Sequence, residues 1–253
     1  IRKNVRVIVK LAWVELKLFL REPTTLVFTF AFPVVLLFVM GEIFGGPRFQ
    51  SDSGMFTGLA PLDYYVPAYI ALACMSVGII MLPARLTSYR SGGVLRRFRA
   101  SLVPVSAVLG SQVLAGLALA TVGALLVWLF GDLVYDVRLP ASPLQVAAAF
   151  LISVAAFSAM GTLIGAVLRS ARAAQGAGLM LFFVMLFLSG AGPPVEVMSD
   201  TMSRIADFLP LTYAVNALQD AWNGRAWDVR DYLVLGGIAL VAGWLSLRLY
   251  GWD

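Results

Sequence analysis

At 253 residues, 60% hydrophobic and 13% charged, the chain carries about half the charge of a soluble domain. Its apolar residues run in blocks of about 20, the length that crosses a bilayer core. The absence of His and the single Cys remove the commonest general base, the commonest metal ligand and any internal disulfide. Cys74 reads as a small buried apolar side chain. The net charge of +5 does not point to nucleic acid, because the basic residues sit in the connections between apolar blocks. The expected class is an all-α integral membrane protein, a single transmembrane domain over residues 1–253.

The opening segment, "IRKNVRVIVKLAWVELKLFLREP", is charged up to the first apolar block, and no cleavable signal pattern is expected in it. Ile1, Val5, Ile8, Ala12, Leu16 and Phe19 recur at helical spacing, with Arg2, Arg6, Lys10, Lys17 and Arg21 largely elsewhere. The pattern predicts a basic amphipathic helix over 1–23, lying in the inner headgroup plane and ended by Pro23. It serves either as a plain anchor or as a helix that also meets a partner.

Six spans are expected within 24–250: Thr24–Phe44, Tyr64–Ala84, Pro104–Gly131, Pro143–Leu168, Ala173–Gly192 and Tyr232–Tyr250. With both termini cytoplasmic, fourteen of the 19 Lys and Arg fall on the inner side. Arg48, Arg138, Arg204, Arg225 and Arg230 fall outside, a consistent positive-inside bias. Tyr64, Tyr65, Tyr69, Trp128, Tyr135, Trp222, Trp227 and Tyr232 stand near span ends and read as interfacial anchors. Gly161 and Gly165, in "GTLIG", are either a close-approach motif or chance glycines.

Between the second and third spans lies "YRSGGVLRRFRASLVP", with four arginines and no acid. Gly92 and Gly93 predict an elbow, and Val94, Leu95, Phe98 and Leu102 share a helical face from which Arg96, Arg97 and Arg99 turn away. A short cytoplasmic helix within 88–102 follows, whose arginines hold the loop inside, contact a partner, or both. Before the sixth span, the linker over 193–222 carries two apolar stripes broken at Pro210. One runs from Val195 to Leu209, and the other comprises Leu211, Ala214, Val215 and Leu218. They predict two short outer helices that dip into or lie on the bilayer surface, either an exit cap or a folded surface loop.

The middles of the six blocks contain no ionisable residue, so the coupling-ion sites of proton- and sodium-driven carriers are not expected. The chain lacks G-x-x-x-x-G-K-[ST], and its three lysines all precede residue 18. Any transport must therefore draw its free energy from another chain, along an apolar path suited to a lipophilic or amphipathic substrate. Candidate path residues are Tyr69, Met75, Phe182, Phe183 and Phe187, and the candidate outer gate is Pro193, Pro194, Leu209 and Tyr213. Two other classes stay open: a membrane scaffold or assembly subunit without transport of its own, and a membrane enzyme acting on lipids. The enzyme is the poorer fit, having no His and no inner acid cluster.

Four stretches in order carry a resemblance: "LFLREPTTLVFTFAFPVVLLFVMGEIFG", "GGVLRRFRASLVP", "LSGAGPPVEVM" and "LPLTYAVNAL". The chain resembles the membrane subunits of ABC transporters of the type-2 exporter family, near the drug and lipid exporters, over essentially its whole length. The second stretch is similar to that family's G-T-L-R-R-L-R-A-T-P element, the coupling helix that docks on the ATPase. The resemblance implies two permease chains, the same or related, above two ATP-binding subunits. Those subunits would hold ATP and Mg, and this chain would carry no cofactor and no catalytic residue. It implies export from the cytoplasm or inner leaflet, in a cell (plasma or inner) membrane whose lipids surround the chain. The coupling set is then Arg90, Gly92, Gly93, Leu95, Arg96, Arg97, Phe98 and Arg99. Phe98 replaces a common Leu, and Ser91 and Val94 stand where the family often has Glu and Thr. The acidic contact to the ATPase is therefore expected to be absent or moved.

Overall fold

The structure, a computed structural model, describes residues 2–45, 56, 59–93 and 105–249. Among these every regular element is helical, and six helices are long and apolar enough to cross a membrane, as the hydropathy blocks require. Helix α1 is Arg2–Phe19. The spans are α2 (Pro23–Phe44), α3 (Pro61–Ser91), α4 (Val105–Tyr135), α5 (Pro143–Val167), α6 (Ala171–Leu188) and α9 (Val229–Leu249). Between the last two lie α7 (Asp200–Ala206) and α8 (Pro210–Asn223). Successive spans run in opposite directions. Phe19, Ser91 and Val167 therefore gather at one end, the elbow end, and Phe44, Pro61, Tyr135 and Val229 at the other, the far end.

Helix α3 is the axis of the bundle. Its membrane-length window is buried throughout, and it packs against α2, α4, α5, α6 and α8. Helix α9 stands outside this ring, on α5 and α8. The central position corrects one sequence expectation: Tyr64, Tyr65 and Tyr69 are almost wholly buried and are not a headgroup belt. Tyr65 and Tyr69 stack with ring centroids 5.5 Å apart, and the Tyr64 hydroxyl donates to the Gly190 carbonyl at 3.0 Å. Trp222 is likewise buried, whereas Trp227 is exposed and packs on the Tyr232 ring, as an interfacial residue would. At 31 residues α3 is about 46 Å long, well beyond the bilayer core. It carries Arg85 to Ser91 past the expected end at Ala84, so the first residues of the predicted 88–102 helix belong to this span.

Glycine sets how closely the neighbours approach. A Cβ at Gly161 of α5 would fall on the Gly78 carbonyl of α3, one at Gly78 would meet Phe157, and one at Gly178 of α6 would meet the Ile79 carbonyl. Gly165 faces Pro83 and Leu86, so both glycines of "GTLIG" lie in a backbone-to-backbone seam. Two wide π-helical turns, Leu26–Ala31 in α2 and Ser76–Met81 in α3, sit beside each other near this seam, joined where the Ser76 hydroxyl donates to Thr29 Oγ1 at 3.1 Å. Each is followed two residues later by a proline, Pro33 or Pro83, which lacks an N–H and crowds the carbonyl a turn back. Widening that turn relieves the clash without ending the span.

The linker helices part company. Ala206 alone is buried in α7, as a surface helix requires, but ten of the fourteen residues of α8 are buried, wedged against α3, α5 and α9. Of the two placements expected, the first linker helix thus lies at the surface and the second dips in, wedged into the bundle. Gln219 Nε2 donates to the Tyr64 carbonyl at 3.0 Å and Asn223 Nδ2 to that of Asp63 at 3.2 Å, which fixes α8 to the start of α3.

The seam gives a paired prediction. Gly161→Ala is expected to destabilise the chain by about 1–3 kcal/mol or more through overpacking. Gly237→Ala, where nothing lies within 4 Å, should change stability by less than about 0.5 kcal/mol. Thermal unfolding of the two variants in detergent, followed by tryptophan fluorescence, compares them directly.

Candidate functional site

At the elbow end, α3 stops at Ser91, the Gly92 amide closes the last turn on the Ser88 carbonyl, and Gly93 takes the left-handed φ of +67° that favours glycine. The predicted elbow is therefore present. Arg90 donates from Nη1 to the Ala166 carbonyl at 2.8 Å, tying this terminus to the last turn of α5. Leu95, Arg96, Arg97, Phe98 and Arg99 lie outside the described residues.

One turn above the elbow is a network that the sequence analysis missed. Glu15 is 3% exposed, on the face of α1 that also buries Ala12 and Phe19 and packs on α4. The Arg85 guanidinium, from α3, donates from Nε to Glu15 Oε2 at 3.4 Å and from Nη1 to Glu22 Oε1 at 2.8 Å. The Tyr89 hydroxyl donates to the other Glu15 oxygen, and Arg85 lies 5.4 Å from the Phe19 ring and 5.0 Å from that of Tyr89. A signal was available. Residues 8, 12, 15 and 19 share one helical face, so an acid at 15 interrupts an otherwise apolar stripe and needs a cation. Helix α1 is thus joined to α3 and α4 along one face, while Val9, Trp13 and Val14 stay exposed on another and Lys17 lies over the Trp13 ring. That outward face fits the interfacial helix expected of 1–23.

The five candidate path residues separate into two groups. Tyr69, Met75 and Phe182 are fully buried inside the single chain. Phe183 and Phe187 are 37% and 57% exposed and belong to an outward aromatic cluster with Phe28 and Phe32 of α2, Phe28 and Phe183 lying 6.1 Å apart. Phe182 bridges the groups, 5.4 Å from Phe28. A second apolar surface lies toward the far end of α4 and α5. It is a cavity of about 370 Å³ lined by Ile70, Leu125, Trp128, Val146, Phe150 and Trp222, among others.

The far end carries the candidate gate. Pro194 and Tyr213 are buried, Pro193 and Leu209 half-buried. The Tyr213 hydroxyl donates to the Asp207 carbonyl at 2.5 Å, and the Arg230 guanidinium lies 5.6 Å from the Tyr213 ring. Behind them is a polar cavity of about 330 Å³ between α3, α7, α8 and the start of α9. Its lining includes Glu196, Asp207, Asp220, Asp228, Asp231 and Arg225. Burial raises the Asp220 carboxyl above the usual carboxylate range, Arg225 opposes the shift and the Asp228 charge adds to it.

A helical bundle with six membrane-length apolar helices, a glycine elbow at one end of a central span and a folded cap at the other end, defines a polytopic membrane domain. The sequence profile of the ABC-2 type transporter family matches residues 6–222, and the chain belongs to that family. It is 26% identical over 244 residues to the daunorubicin resistance ABC transporter permease protein DrrB1 of Streptomyces coeruleorubidus, covering 94% of this chain and 83% of that protein. It is 25% identical over 173 residues to the putative transport permease YvfS of Bacillus subtilis (strain 168), covering 68% of this chain and 70% of the relative. The chain is accordingly an ABC transporter permease, a multi-pass membrane subunit and not an enzyme. It associates with an ATP-binding cassette subunit, on which ATP hydrolysis takes place.

Removing Arg85 strands the Glu15 carboxylate. Arg85→Ala is expected to cost about 3 kcal/mol, and Arg85→Ala combined with Glu15→Gln clearly less than the two single losses added. Detergent unfolding of the wild type, both single variants and the double variant closes the cycle.

Proposed function

We propose that this permease moves a lipophilic or amphipathic molecule, drug-like or lipid-like, out of the cytoplasm or inner leaflet. Two copies, or this chain with a related one, form the membrane part, with two ATPase subunits holding ATP and Mg below. The observation that carries the reading is the family match across the elbow and the linker, including a relative that bears the name of a drug-resistance permease. The positive-inside bias supports cytoplasmic termini in a plasma or inner membrane, with the elbow facing the ATPase.

The geometry supports a simple transmission. Arg90, Gly92, Gly93, Leu95, Arg96, Arg97, Phe98 and Arg99 receive the motion of the ATPase, and α3 continues directly from that elbow through the bundle to the Tyr64–Gly190 and Gln219–Tyr64 contacts at the far end. A long helix packed on all sides moves as a rod, so a push at the elbow reaches Pro193, Pro194, Leu209 and Tyr213 with little loss. Phe183 and Phe187, exposed on one chain, face the partner permease and line the path with it. Tyr69, Met75 and Phe182 lie behind them, in the wall that shifts.

Exchanging Arg96→Glu together with Arg97→Glu is expected to lower co-purification of the ATPase subunit about tenfold while leaving membrane insertion intact. Unchanged co-purification would remove the docking role. Phe183→Asn, at a partly exposed position, should alter substrate stimulation of the partner's ATPase more than basal turnover. This is measured on the reconstituted complex with a panel of apolar compounds.

A further inference from the structure

The far-end cavity contains a carboxyl group that no other side chain of the described residues engages. Asp231 is only 4% exposed and lines the cavity, and among the described residues neither a hydrogen bond nor an ion pair reaches its carboxylate. Its place in the first turn of α9 does not account for it. The side chain that serves this helix start is Asp228, whose Oδ1 accepts from the Arg230 amide at 2.8 Å. A buried carboxyl group without a protein partner calls for an explanation, and its position on the cavity wall makes a ligand one.

The rest of the wall identifies the ligand. Asp207, Asp220, Asp228 and Glu196 join Asp231 around the cavity, against one cation, Arg225, among the described lining residues. Arg230 acts on Asp231 at longer range, and its guanidinium is placed on Tyr213. Among the described residues no three acids meet at a spacing that would hold a metal ion. The negative charge is instead spread over a space of about 330 Å³ that also presents the neutral side chains of Ser203, Asn216 and Gln219. Dispersed charge in a cavity larger than one ion suits an organic cation, whose bulk fills the volume while its charge takes up the field.

We propose that this cavity is a binding site for an organic cation, an amine or quaternary ammonium group, with Asp231 as its principal counter-charge and Asp220 in support. If the site is a station on the export path, the cargo of the transporter includes cationic amphiphiles. That step rests on the permease reading; the charge preference itself does not.

The test uses the intact purified chain in neutral detergent and titration calorimetry with two probes of similar size, benzyltrimethylammonium and benzenesulfonate. Native protein is expected to bind the cation at least about tenfold more tightly than the anion. Asp231→Asn should weaken cation binding about tenfold and Asp220→Asn severalfold, while Asp200→Asn, at an exposed acid outside the cavity, should leave it within about twofold. Equal binding of the two probes by the native protein would overturn the proposal without recourse to any variant, and so would cation binding unaffected by both Asp231→Asn and Asp220→Asn. The titrations are repeated on the permease purified together with its ATPase subunit, whose turnover is scored alongside. Loss of cation preference with the ATPase retained rejects the site alone, and cation preference without any effect of the cation on the bound ATPase rejects its place on the export path alone.

Discussion

Helix α3 has no face left for lipid, and the rest of the bundle is arranged around that constraint. Five other helices must reach it, and in a bilayer no hydrophobic force draws them there, since lipid tails are as apolar as leucine. What holds them is close packing, which becomes effective only where backbones approach. Gly78, Gly161, Gly165 and Gly178 supply that approach over the central turns of α3. The two π turns lie in the same region, where prolines would otherwise break the hydrogen-bond ladder. The close backbone approaches of α3 and its widened turn thus coincide.

At its two ends α3 changes character. Near the elbow it is gripped by charge: Arg85 between Glu15 and Glu22, and Arg90 on a carbonyl of α5. An ion pair of this kind is weak evidence for stability, but its partners come from two helices and so tie one to the other. The network therefore sets the position of α1, lying outside the spans, relative to the helix that turns into the arginine-bearing loop. At the far end the grip is neutral, through hydroxyl and amide contacts from Tyr64, Gln219 and Asn223. A motion entering at one end has defined contacts to leave by at the other.

The far-end cap combines a wedge and a well. Helix α8 inserts its apolar face between three spans, while its polar face, with Asn216, Gln219 and Asp220, closes one side of the acidic cavity. The segment is too polar to span and too apolar to leave, so it folds back into the protein, where its amides meet carbonyls of α3. The cavity follows from that geometry, because the acids of α8 and of the start of α9 are brought together by the turn at Gly224, which takes a left-handed φ of +66°.

The class of the protein, the order of its spans and the place of the elbow were legible in one dimension. Bilayer thickness and the need to satisfy every backbone group impose a length and polarity that a run such as 143–167 displays openly, and Gly92 and Gly93 mark the chain reversal equally plainly. The faces of those spans were not legible. Lipid-facing and protein-facing residues are equally apolar, so nothing in the hydropathy of Tyr64, Tyr65 and Tyr69 distinguishes a belt from a core, and nothing in that of Phe182 and Phe183 says which is buried. The pairing of Glu15 with Arg85, the insertion of α8 and the isolation of Asp231 were decided only by tertiary structure. Each joins residues from different helices, and no local pattern records which helix stands beside which.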